Sequence, residues 1–196
     1  MIAVRWVHAF LDRRRGRFEE AAAFWTAVTG TRLSPRRGDD GEFATLLPAS
    51  GDACVKLQAV GGGRWAAGAV RRPPVFAGTR LDQVCLDIAP GAYEEEVAFW
   101  AALTAWPPRR GSLPEFTVPA MPGMPVRILL QRLGTGPGRS AHVDLACADA
   151  AAARLLHERH GAAFVARGRH WIVMRDPAGG VYCLTERDPE TGALPS

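Results

Sequence analysis

An α+β fold assembled from repeats of one strand–helix–strands unit is what this sequence predicts, and three observations predict it. First, two stretches match at equal intervals. His8-Ala-Phe-Leu-Asp12 leads through Gly16 and Phe18-Glu-Glu20 to Ala23-Phe-Trp25, and Gln83-Val-Cys-Leu-Asp87 leads through Gly91 and Tyr93-Glu-Glu95 to Ala98-Phe-Trp100. Second, the match continues: Arg36-Arg-Gly38 with Glu42-Phe43 recurs as Arg109-Arg-Gly111 with Glu115-Phe116, and Val55-Lys-Leu-Gln58 recurs as Ile128-Leu-Leu-Gln131. Third, a shorter copy follows from Ala141-His-Val-Asp-Leu145 onward. Repetition on this scale means that one supersecondary unit is stacked on, or paired with, its own copies.

The elements follow in order. In the first copy Phe18, Ala21, Trp25 and Val28 recur at helical spacing, and in the second Tyr93, Val97, Trp100 and Leu103 do, so both segments read as helices, over 18–29 and 93–104. The strand before the second helix alternates, with Val84, Leu86 and Ile88 on one face and Gln83, Cys85 and Asp87 on the other. In the third copy 141–145 reads as a strand and 149–160 as a helix ended by Gly161. Strands over 170–174 and 181–185 then flank the turn Asp176-Pro-Ala-Gly-Gly180.

Composition narrows the class. A chain of 196 residues can bury a full core, and no apolar run is long enough to span a bilayer, so a soluble, cytoplasmic protein without membrane contact is expected. Cys54, Cys85, Cys147 and Cys183 are widely spaced with no CxxC, which reads as reduced, buried thiols. The net charge of +4 comes almost wholly from arginine, with Lys56 the only lysine. The clusters Arg13-Arg-Arg15, Arg36-Arg37, Arg71-Arg72 and Arg109-Arg110 read as loop residues without interleaved aromatics. That pattern argues against a nucleic-acid partner. No nucleophile elbow, phosphate loop or dinucleotide fingerprint is present.

The chain resembles the vicinal-oxygen-chelate superfamily of glyoxalases, bleomycin-resistance proteins and extradiol dioxygenases. The residues that carry the likeness are Ala-Phe-Trp in two helices, His142-Val-Asp-Leu145, and Asp176-Pro-Ala-Gly-Gly-Val-Tyr-Cys-Leu184. The resemblance implies βαβββ modules, two of them paired into a cup-shaped sheet. Three modules are expected, over residues 1–60, 79–133 and 139–187, with a linker over 61–78 that is rich in glycine and then stiffened by Pro73-Pro74. The domain plan is therefore a single module at 1–60 and a glyoxalase-like domain of two paired modules at 79–190.

The resemblance also implies where a divalent metal would sit, at the first and last strands of the paired modules. Carried over, these positions are Gln83, Gln131, His142 and Cys183. Gln131 and Cys183 stand where the superfamily has glutamates. A glutamine is a neutral donor and no base near pH 7, and one His, two Gln and one Cys suit no common enzyme metal. No metal or other cofactor is therefore expected. Stepping by two along the strands adds Leu129, Arg127, Asp144 and Cys85 to the wall, with Val181 and Thr185 beside Cys183. Such a mixed wall suits a small, partly apolar ligand. Asp144 has a second reading, as a strand-end residue satisfying backbone donors before the helix.

Two functional classes remain on these grounds. One is a protein that binds a small molecule without catalysis, as bleomycin-resistance proteins do. The other is a metal-dependent lyase, isomerase or dioxygenase acting on a small oxygenated substrate. The missing carboxylates favour the first. His157 and His160, one turn apart, read as residues of an exposed helix end, and His8 as a satisfied core histidine. The unpaired first module leaves an apolar sheet face and free edges, which demand cover. A homodimer through residues 1–60, near His8 and Gln58, is the expected cover, and folding back onto the chain's own second domain is the alternative.

Overall fold

The computed structural model describes residues 8–51, 53–61, 78–120, 124, 126–136, 138 and 140–195. The expected linker lies outside the described residues apart from its terminal Gly61 and Gly78. The first four strands are β1 (Ala9–Arg14), β2 (Arg32–Leu33), β3 (Phe43–Leu47) and β4 (Val55–Val60), with helix α1 (Phe18–Thr29) after β1. The next four are β5 (Thr79–Ile88), β6 (Pro108–Arg110), β7 (Phe116–Pro119) and β8 (Arg127–Arg132), with α2 (Tyr93–Thr104) after β5. The last are β9 (Ser140–Cys147), β10 (Ala163–Arg167), β11 (Trp171–Arg175) and β12 (Val181–Thr185), with α3 (Ala150–Arg159) after β9.

Within each group the first strand lies beside the fourth, followed by the third and second. The first and fourth strands run parallel in all three groups. The helix that follows the first strand makes this possible, because a parallel return needs a crossover. The second and third groups join where β5 and β9 pair antiparallel, from Thr79 opposite Cys147 to Asp87 opposite Ser140. The result is one eight-stranded sheet, whereas the first group keeps a separate four-stranded sheet.

Local chemistry explains the helices. Glu19 and Glu20 sit in the first turn of α1 and Glu94 to Glu96 in that of α2, where negative charge complements the helix dipole. Gly30 ends α1 in the left-handed region at φ 60° and donates its N–H to the Thr26 carbonyl. The Asp149 carboxylate caps α3, accepting from the N–H groups of Ala151 and Ala152 at 2.9 Å. Strand β10 has no apolar alternation and is exposed along its length, which is why pattern reading found only two strands after α3.

The apolar face of α1 packs on its own sheet and on the third group together. Phe18, Ala21, Phe24, Trp25 and Val28 share one core with Leu11 and Leu57 of their own group and with Ala153, Ile172, Tyr182 and Leu184 of the third. The Trp25 ring lies 5.2 Å from that of Tyr182, and Phe24 lies 5.8 Å from His157. His157 is thus fully buried, with Nδ1 2.9 Å from the Tyr182 hydroxyl. This corrects the reading of an exposed helix end: the partner that covers it lies more than a hundred residues away in sequence.

Helix α2 has no such cover among the described residues. Trp100 packs toward Ile88 and Leu130 on its sheet, as Trp25 does on its own, but Phe99 is 53% exposed where its repeat equivalent Phe24 is 2% exposed. Leu103 is also exposed, against its place in the helical stripe. The four cysteines are buried, and no disulfide joins them among the described residues. Several loop arginines are occupied by acidic neighbours, including Arg15 with Asp40 and Arg36 with Glu19. Arg109 and Arg110 lie in strand β6 rather than in a loop.

Candidate functional site

The seam between β5 and β9 brings polar side chains together on the concave face of the eight-stranded sheet. Around the central pair, Val84 opposite Val143, Gln83 stands opposite Asp144 and Cys85 opposite His142. Alternation then aims Gln83, Cys85, His142 and Asp144 at one face. The neighbouring strands contribute Leu129 and Gln131 from β8 and Cys183 from β12, and all seven line one cavity. Seven of the eight residues singled out by the resemblance and by strand-face arithmetic therefore line one cavity.

Arg127 does not join them. Its guanidinium is bonded to the Asp82 carboxylate, and it is not among the residues lining the cavity. The register of β5 shifts between Leu81 and Gln83; this bulge turns Asp82 out of the regular alternation and toward Arg127. Asp144 belongs to the cavity rather than to the helix entry, since Asp149 caps α3. Val181 is exposed and Thr185 lines the wall.

The polar centre is a histidine between two carboxylates. His142 Nδ1 lies 3.1 Å from Asp87 Oδ2, and Nε2 lies 3.3 Å from Asp144 Oδ1. Burial opposes the imidazolium, but the bonds to Asp144 and Asp87 outweigh it and push the His142 pKa well above the ordinary value. Burial raises the Asp87 carboxyl, but its bond to His142 and that cation's charge outweigh this and leave its pKa below the usual range. Asp144 Oδ2 accepts from the Gln83 amide at 2.5 Å. Burial pushes the Cys85 thiol up to about 12 and the Cys183 thiol up to about 11, so both are neutral near pH 7. The Cys85 thiol donates to Gln131 Oε1 at 3.4 Å.

The opposite wall was not found from the sequence. Phe116 of β7 meets Trp171 of β11 edge to face, with ring centroids 5.8 Å apart, so each paired group supplies half of an aromatic clamp. A side chain at Gly168 would overlap the Trp171 indole at 2.1 Å, so glycine there gives the ring its place. Gly111, Ser112, Val118, His170, Arg187 and Leu194 complete the lining. His170 bonds Glu186 at 3.2 Å, and Arg187 donates to the Gly192 carbonyl at 2.7 Å. No repeat position marks Arg187 or Leu194, because both follow the last strand.

The four positions implied for a metal do not form the superfamily's donor set. The Gln83 amide is turned to Asp144, Gln131 Oε1 is taken by Cys85, and Cys183 is a neutral thiol. Two tighter groups exist, Cys85–Asp87–His142 and His142–Asp144–Cys183, each with its donor atoms within 4.8 Å. Both depend on His142, whose two nitrogens already face carboxylates. Gln131 is moreover a neutral amide where the superfamily has a charged glutamate, a poor fit to a divalent ion.

A sequence profile described as "Glyoxalase-like domain" matches residues 83–185, more than half of the chain. Among curated proteins, none matches in sequence. The Mn(II)-bound glyoxalase from Novosphingobium aromaticivorans is similar in structure, with a TM-score of 0.65 at 15% identity over 98% of this chain and 86% of that one. So is 2,2',3-trihydroxybiphenyl 1,2-dioxygenase from Sphingomonas wittichii strain RW1, with a TM-score of 0.58 at 13% identity over 93% of this chain and 90% of that one. At such identities the likeness is one of fold.

Proposed function

The chain belongs to the glyoxalase-like domain family, and from that premise we propose that it binds a small, partly apolar molecule in the cup between β5 and β9, without a divalent metal. The observation that carries the proposal is His142 held at both ring nitrogens by Asp87 and Asp144, in the place where the superfamily's chemistry needs a free donor. An apolar body fits against Phe116 and Trp171, and a polar end meets His142, Gln131 and Arg187. Binding of this kind would be that of a non-catalytic, bleomycin-resistance-like protein. Neither cavity thiol is activated as a nucleophile, since burial holds both neutral.

The metal-dependent reading, a lyase, isomerase or dioxygenase, is favoured by one observation, the close grouping of His142, Asp144 and Cys183. Metal analysis of untagged protein separates the two. Less than a tenth of an equivalent of zinc, nickel, manganese or iron is expected. Stoichiometric metal that is lost in His142→Ala would overturn the metal-free reading. Calorimetry with a panel of small aromatic and oxygenated acids tests the cup itself. Binding abolished by the cavity-filling Leu129→Trp is expected, and binding that survives it would move the ligand elsewhere.

A further inference from the structure

Leu194 lines the cup although the last strand ends at Thr185. The segment between them turns back on itself. The Asp188 N–H donates to the Ala193 carbonyl at 2.8 Å, and the Gly192 N–H donates to the Asp188 carbonyl at 2.7 Å. The Asp188 carboxylate accepts from the N–H groups of Glu190 at 3.0 Å and Thr191 at 2.6 Å. An aspartate turn of this kind closes a loop on its own atoms. These bonds make residues 188–193 one small unit, able to shift without losing its internal bonds.

A clasp of charged side chains ties this unit to the body of the domain. Arg80 of β5 meets Glu190 at 3.1 Å, and Arg187 donates to the Gly192 carbonyl at 2.7 Å. A Cβ on Gly192 would stand 3.5 Å from both Arg127 Nη2 and Asp82 Oδ1, so the backbone there rests on the Arg127–Asp82 pair. Arg127, expected in the cup from the strand pattern, thus lies under the loop that closes it. Pro189 is buried and seats the loop, whereas Asp188, Glu190, Thr191 and Ala193 are exposed and Leu194 is half-buried. A segment held mainly by surface ion pairs and little apolar burial opens at far lower cost than a strand.

We propose that residues 188–194 form a strap that swings off the cup to admit or release a ligand, with Leu194 the side chain that the ligand displaces. The proposal rests on the reading of the cup as a binding site. Three features carry it together: Leu194 forms part of the cup wall, the loop behind it is bonded mainly to itself, and its ties to the body are charged side-chain ends. Closing the strap brings an apolar side chain to the wall that also holds Phe116 and Trp171. A ligand with an apolar body replaces that contact with its own, so its binding offsets the cost of opening.

The cysteines report the strap without any ligand. Cys85 and Cys183 line the cup, whereas Cys54 and Cys147 sit in the core outside it. The test is the rate at which N-ethylmaleimide labels each thiol of the full-length protein, followed by peptide mass spectrometry. Gly192 adopts φ 72°, so Gly192→Val strains the strap alone and should speed labelling of Cys85 and Cys183 by about five- to thirtyfold. Glu190→Lys sets a cation against Arg80 and should speed the same two by about two- to fivefold. Cys54 and Cys147 should keep their wild-type rates. Unchanged rates at Cys85 and Cys183 in both variants would overturn the strap, and so would all four thiols speeding up together, which is loosening of the whole fold. If the two cup thiols respond while calorimetry finds no bound acid, strap opening stands and the binding reading alone falls.

Discussion

Asp176 is where the first group is tied to the third, and its removal should unfold the chain more readily than any surface change. Its carboxylate is fully buried and Arg13 is only 10% exposed. Oδ2 accepts from Arg13 Nε at 2.9 Å and from Trp25 Nε1 at 2.9 Å, while Oδ1 accepts from the Gly180 N–H at 2.7 Å. The packing is close: a Cβ on Gly180 would overlap the Arg13 guanidinium at 1.9 Å. Asp176→Ala strands a buried guanidinium, which costs about 3–5 kcal/mol. The orphaned indole N–H costs about 1–3 kcal/mol more, and the two overlap because they share one acceptor. A loss of about 4–6 kcal/mol is expected in urea unfolding followed by circular dichroism and by tryptophan fluorescence. Asp40→Ala is the control, since its pair with Arg15 is exposed at both ends and should cost under about 0.5 kcal/mol. An Asp176→Ala loss within 1 kcal/mol of this control, a margin of ordinary surface size, would refute the idea that the buried pair holds the first group in place.

Two further outcomes follow from the same packing. Ala105 ends α2 at φ 57° where its repeat equivalent Gly30 ends α1 at φ 60°, so Ala105→Gly should stabilise by about 1 kcal/mol in chemical denaturation, and Gly30→Ala should cost a similar amount. Burial first, and then His160, lower the His157 pKa to about 4. The folded value lies below the unfolded value of about 6.5, so the neutral ring's contribution is complete above pH 6.5 and is lost as pH falls toward 4. Roughly 2–3 kcal/mol of stability should disappear between pH 7 and pH 4.5. His157→Phe should flatten that slope while keeping the ring contact with Phe24, and an unchanged slope would assign the loss to other groups.

How far the site was legible follows from the physics of strands. Alternation has a period of two, so one correctly placed residue fixes a whole face. That is why Gln83 and Cys85 led to the cavity, as did Leu129 and Gln131, and His142 and Asp144. The same arithmetic fails at one irregularity: the bulge at Asp82 offered Arg127 a carboxylate outside the cavity. Asp87 was on the correct face and was overlooked because its role depends on a histidine of another strand. Trp171, Phe116 and Arg187 carry no signature, since an aromatic or an arginine on a strand looks alike whether it lines a cup or a surface. The helices were legible from apolar spacing, yet their burial was not, because Phe24 and Phe99 occupy equal places in the repeat and differ only in what covers them.

That difference follows from what covers each group. Each group presents two surfaces that must be covered, the outer face of its helix and the free edge of its first strand. The third group has both, through α1 and through β5. The second has its edge covered by β9 and its helix bare at Phe99 and Leu103. The first has its helix covered by the third group, and its β1 has a neighbour on one side only among the described residues.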